Sequence, residues 1–110
     1  MVRQVKIAYS EEFLESTDDL IYILYSKNYF SFIEDAENYV DKIYDFIREN
    51  IASYPAKSTP TDFKKYSESY LLYKANSNTT WYIFFTFKSD VYYVEFITNN
   101  HTDLMESFNV

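Results

Sequence analysis

The chain is 110 residues long, carries 17 acidic against 10 basic side chains for a net charge of −7, and contains neither cysteine nor glycine. The missing cysteines exclude disulfide frameworks, thiolate metal sites and cysteine nucleophiles; the missing glycines exclude phosphate-cradling loops, dinucleotide-binding fingerprints and nucleophile elbows, which bring backbone where a Cβ does not fit. The length predicts one domain with its own core, no apolar run reaches the roughly 18 residues of a membrane span, and a cytoplasmic protein without cofactor or metal is expected.

Val5, Ile7 and Tyr9 alternate with Gln4, Lys6 and Ala8, a period of two that predicts a strand with one buried face. Ser10 then suits a helix N-cap, and Glu11 and Glu12 sit where the positive end of the helix dipole favours them. Phe13, Thr17, Leu20, Ile21 and Leu24 mark an inner stripe at helical spacing, widened by Leu14, Tyr22, Ile23 and Tyr25. This helix is expected to end near residues 26–28.

Ser31 followed by Glu34 fits a capping box, and Ile33, Ala36, Val40, Ile43, Ile47 and Ile51 continue as one stripe. The spacing predicts a second helix over 32–53, stopped by Pro55. The short link makes the two helices an antiparallel hairpin. Residues 54–69 hold both prolines and read as loop, with a short helical turn around Phe63 to Tyr66. Lys57, Lys64, Lys65 and Lys74 against Asp62 and Glu68 give the stretch 54–76 a balance of +2. An acidic chain disfavours general affinity for nucleic acid, but this stretch leaves room for one phosphate-binding spot.

Three strand-like runs follow, Tyr70–Ala75, Thr79–Lys88 and Val91–Thr98. The links Asn76-Ser77-Asn78 and Ser89-Asp90 are turn chemistry, so the runs form an antiparallel meander. Strict alternation sends Trp81, Ile83, Phe85 and Phe87 to one face and Thr80, Tyr82, Phe84 and Thr86 to the other. On the last strand it opposes Tyr92, Val94 and Phe96 to Tyr93, Glu95 and Ile97. The helix hairpin is expected to cover one face, with Ile33, Val40, Ile43 and Ile47 meeting Trp81, Ile83 and Phe85. Aromatics make up 22% of the chain, more than one core of this size absorbs. The face carrying Tyr82, Phe84, Tyr93 and Ile97 is therefore expected to bind a peptide or a second copy of the chain.

The predicted fold is α+β, a β-α-α-β-β-β order with the helix hairpin on one face of a mostly antiparallel sheet. Several stretches resemble the RelE/ParE superfamily of bacterial toxins. Val5-Lys6-Ile7-Ala8-Tyr9-Ser10-Glu11-Glu12-Phe13 is similar to that family's first strand running into its first helix. Ala36, Tyr39, Val40, Ile43 and Ile47 resemble its long second helix. KKYSESYLLY at 64–73 resembles the approach to its second strand, and 80–85 with 91–101 resemble its paired last strands ending near a histidine.

The resemblance implies the toxin component of a type II toxin–antitoxin pair of the plasmid-stabilisation type, held silent by a cognate antitoxin. RelE-like members cleave messenger RNA on the ribosome and ParE-like members inhibit DNA gyrase; the residues do not choose between them. Cleavage needs a base for the ribose 2′-OH, a cation for the phosphorane and an acid for the leaving oxygen. The resemblance puts His101, Lys64, Lys65 and Glu95 in those roles. The chain departs from nuclease relatives in being acidic and in holding its only arginines, Arg3 and Arg48, in the front half. A second reading is a non-catalytic module of the same fold that binds an antitoxin-like peptide or self-associates as a homodimer.

Overall fold

The computed structural model describes residues 5–27, 32–52, 57–58 and 67–100. Strand β1 (Ile7–Tyr9) leads into helix α1 (Glu11–Ser26) and helix α2 (Ile33–Asn50); then come β2 (Lys57–Ser58), β3 (Ser69–Lys74), β4 (Thr80–Lys88) and β5 (Val91–Asn99). The strands form one sheet in the order β1-β5-β4-β3-β2. β1 runs parallel to β5 and every other neighbour is antiparallel. The chain thus adopts the predicted α+β order, with a two-residue edge strand added inside the stretch read as loop. No described helix is long and apolar enough to cross a membrane.

Local chemistry accounts for the helix ends. Ser10 has extended backbone, and its side chain accepts the Phe13 N–H, while Glu11 and Glu12 fill the first turn of α1. Phe32 precedes α2 in extended conformation without a side-chain cap. Ser31, the expected cap, lies outside the described residues. Arg48 in the last turn of α2 suits the negative end of that helix and pairs with Asp45.

The predicted stripes meet the predicted sheet face. Phe13, Ile43, Ile47 and Ile51 pack with Leu71, Trp81, Ile83, Phe85, Val94 and Ile97 in one buried cluster. Val40 and Ala36 are buried as well, but Ile33 is 45% exposed. It is the first residue of α2, and burial starts one turn later at Ala36. Leu14, Tyr22, Ile23 and Tyr25 are also exposed rather than part of the inner stripe of α1. Polar contacts tie the helices to each other and to the sheet. The Thr17 and Tyr44 hydroxyls lie 2.7 Å apart across the helix pair. The Trp81 indole N–H donates to the Tyr39 hydroxyl at 3.0 Å, linking sheet to α2.

Candidate functional site

The helix-free face of the sheet is where sequence reasoning put the site, and its layout depends on one irregularity. Phe84 pairs with Phe96 and Phe85 with Val94, so Glu95 has no partner on β4 and forms a β-bulge. One extra residue reverses the inside–outside parity of a strand. Ile97 and Val94 therefore both face the helices and join the core, although they are an odd number of residues apart. Phe96 faces away and packs with Phe84, ring centroids 5.8 Å apart. The expected grouping of Tyr93 with Ile97 fails for this reason, as does that of Phe96 with Val94.

The helix-free face carries a second aromatic cluster. Tyr82 and Phe84 are its buried members, with Tyr70, Leu72 and Phe96 packed around them. The Tyr70 ring lies 6.1 Å from that of Tyr82 and 5.9 Å from that of Phe84. Phe84 is fully buried and Tyr82 nearly so. These two residues are small-core positions rather than open surface, whereas Tyr93, opposite Thr86, is 40% exposed. Of the four expected contact residues, Tyr93 alone presents substantial surface on this face. Lys74 and Lys88 are exposed and fall at its opposite ends by strand parity.

The bulge is anchored from the helix side. The Ser10 hydroxyl donates to the Glu95 carbonyl at 2.7 Å, and the Ser10 N–H donates to the Val94 carbonyl at 2.8 Å. The first cap of the helix layer therefore also holds the irregular turn of β5. Ser10 was legible as a cap; its second bond was not, because its partner is 85 residues away. Glu95 itself is half-buried at this junction. Lys64, Lys65 and His101 lie outside the described residues.

Several tyrosines are perturbed by burial. Desolvation raises Tyr70, with the Tyr82 phenol adding to it, and raises Tyr73, with Tyr39 adding to it. Tyr9 is raised by desolvation against the opposing pull of the Arg48 guanidinium. Tyr44 is raised by desolvation, partly offset by its bond to Thr17. All four therefore stay neutral phenols at physiological pH. Among the described residues no group of three or more His, Cys, Asp or Glu side chains is placed to hold a metal.

Charge is uneven between the helices and the rest of the chain. Helix α1 carries five acids and no base, and α2 six acids against Lys42 and Arg48, a balance of −9 for the helices. With −7 for the whole chain, all other residues together carry +2. Comparison with protein-family models, curated proteins and solved structures finds no match to this chain.

Proposed function

We propose that the chain is the toxin component of a type II toxin–antitoxin pair, with the helix-free side of the sheet turned toward its target. The observation that carries this reading is the charge division: −9 on the helices and +2 on all other residues. A polyanionic assembly, translating messenger RNA or DNA-bound gyrase, is repelled by the helix layer and tolerated by the strands, which hold Lys57, Lys74 and Lys88 against Glu95 alone. Lys74 and Lys88 lie at the two ends of that side, with Tyr93 between them along the sheet. Apart from the added two-residue strand β2, the element order is the β-α-α-β-β-β that the RelE/ParE resemblance implies. In the nuclease form of the reading, His101 moves protons, Lys64 or Lys65 steadies the phosphate and Glu95 serves as a further acid or base. A cognate antitoxin keeps the chain silent.

Induced expression in a host lacking the antitoxin tests the reading, with protein synthesis and DNA supercoiling followed separately. Growth arrest relieved by the product of a neighbouring frame supports it. Loss of protein synthesis that disappears in His101→Ala, a rate factor of about 10²–10⁴ for a general acid or base, assigns the nuclease branch. Arrest undiminished in that variant, with loss of supercoiling, assigns the gyrase branch. No arrest from folded wild-type protein overturns the toxin reading and leaves the non-catalytic interaction module.

A further inference from the structure

A groove runs between α1 and the ends of β4 and β5, apart from the face assigned above to the target. Ser16, Leu20 and Ile23 form one wall at successive turns of α1, and Trp81, Ile97, Thr98 and Asn99 form the other. It encloses about 190 Å³. That is below the roughly 300–1,000 Å³ of small-molecule and cofactor sites, and suits one or two apolar side chains.

The edge of the groove is acidic on one side. At 100° per residue, Glu12 and Asp19 sit beside Ser16 and Ile23 on α1, with Glu15 next to them; all three acids are exposed, and the one nearby base of this segment is Lys27, the C-cap of α1 one turn past Ile23. Ile23 is 43% exposed at this edge. We propose that the groove takes the apolar anchor of a basic amphipathic segment from a protein partner, with cationic side chains of that segment along Glu12, Glu15 and Asp19. Charge selects this occupant over two others. A second copy brings its own net charge of −7, and residues 101–110 of the chain itself contain Asp103 and Glu106 and no lysine or arginine. The proposal stands on this groove alone and does not depend on the toxin reading.

Trp81 is the only tryptophan in the chain and lines the groove, so its emission reports occupancy. The probes are an 18-residue amphipathic peptide of Leu and Lys, its Leu and Glu counterpart, and a peptide copying residues 101–110. The full-length protein is expected to show a saturable change in Trp81 emission with the Leu/Lys peptide, weakening with salt, and none with the Leu/Glu peptide. Ile23→Ala should weaken binding about tenfold. Glu12→Gln combined with Asp19→Lys should do the same, while Asp41→Lys, on α2, should leave affinity within about twofold. Equal binding of both charged peptides, undiminished binding by Ile23→Ala, or an equal loss from Asp41→Lys overturns the proposal, the last by marking non-specific attraction. A response to the 101–110 peptide alone assigns the groove to the chain's own end. Emission that changes with protein concentration alone assigns it to a second copy. Either result overturns the basic-partner proposal.

Discussion

The Ser10 hydroxyl ties the start of α1 to the bulge of β5: it accepts the Phe13 N–H at 3.0 Å and donates to the Glu95 carbonyl at 2.7 Å. One side chain thus satisfies a free helix donor and an acceptor left outside the strand ladder. Ser10→Ala removes both bonds and should cost about 2 kcal/mol in urea unfolding. Ser10→Thr keeps both and should stay close to wild type. Ser10→Asp keeps the cap but has no proton for Glu95, so it should recover only part of the loss. Wild-type stability in Ser10→Ala would mean the shared hydroxyl contributes nothing.

The start and the middle of the α2 stripe separate cleanly. Ile43 is fully buried in the main cluster, and Ile33 is exposed at the helix start. Ile43→Ala should cost about 2–5 kcal/mol, through lost burial and the cavity left behind. Ile33→Ala should stay within about 0.5 kcal/mol, as surface changes do. Equal losses at both positions would show that the first turn of α2 is packed as tightly as its middle.

Much of the architecture was legible because its signals are periodic. The 3-4 spacing of Ala36, Val40, Ile43 and Ile47 and the alternation of Trp81, Ile83 and Phe85 each fix a face without knowledge of the other, and the faces meet. The failures lie where periodicity is broken by one residue. Nothing local in Val94-Glu95-Phe96 announces a bulge, because its partner atoms come from Ser10 and from β4. Strict alternation therefore puts Ile97 on the helix-free face, and the bulge turns it into the core. The burial of Tyr82 and Phe84 was missed for another reason: alternation says which face a ring occupies, and neighbouring rings such as Tyr70 and Phe96 decide how much of it stays exposed.

That burial changes what substitution on the helix-free face should do. Tyr82→Glu with Phe84→Lys places two charges in an aromatic cluster, without room for water around Phe84. The pair should cost more than about 4 kcal/mol, a large part of the total stability of a domain this size. A cooperative unfolding transition that disappears or moves to much lower temperature is the expected result. Tyr93→Lys, on the same face but exposed, should leave the transition within a few degrees. A double variant that melts like wild type would mean that the cluster opens freely.

The β4–β5 turn holds two non-glycine residues at positive φ, Ser89 at 52° and Asp90 at 67°. This is the backbone of a two-residue hairpin turn, which favours asparagine, aspartate and glycine. Asp90 tolerates the conformation better than Ser89, because a short acidic side chain is less penalised there. Ser89→Gly should therefore raise stability by about 0.5–1 kcal/mol, the relief of strain exceeding the extra entropy of the unfolded chain. Asp90→Gly should gain less. Ser89→Val should lose stability, since a branched Cβ crowds this backbone most. Thermal melts of the three variants in parallel give the order, and a loss of stability in Ser89→Gly contradicts the strain assigned to that position.

The raised tyrosines make the fold sensitive to alkali in a defined direction. Burial lifts Tyr9, Tyr44, Tyr70 and Tyr73 above their ordinary value of 10.0. Below about pH 10 both folded and unfolded chains hold these protons, so their contribution to stability is intact. Above it the unfolded chain releases them first. The native state then binds more protons than the unfolded state, and stability must fall as pH rises through the raised native values. Urea midpoints should therefore hold between pH 8 and 9 and drop between pH 10 and 11. Lysines titrate in the same range, so the wild-type slope alone does not isolate the phenols. Tyr73→Phe removes one of the four, and its stability should decline less steeply over that interval than that of wild type. Tyrosinate absorbance supplies the second readout. In native protein part of the phenol signal should appear only at a higher pH than in urea-unfolded protein, and native and unfolded titration curves that superimpose would contradict the burial of these rings.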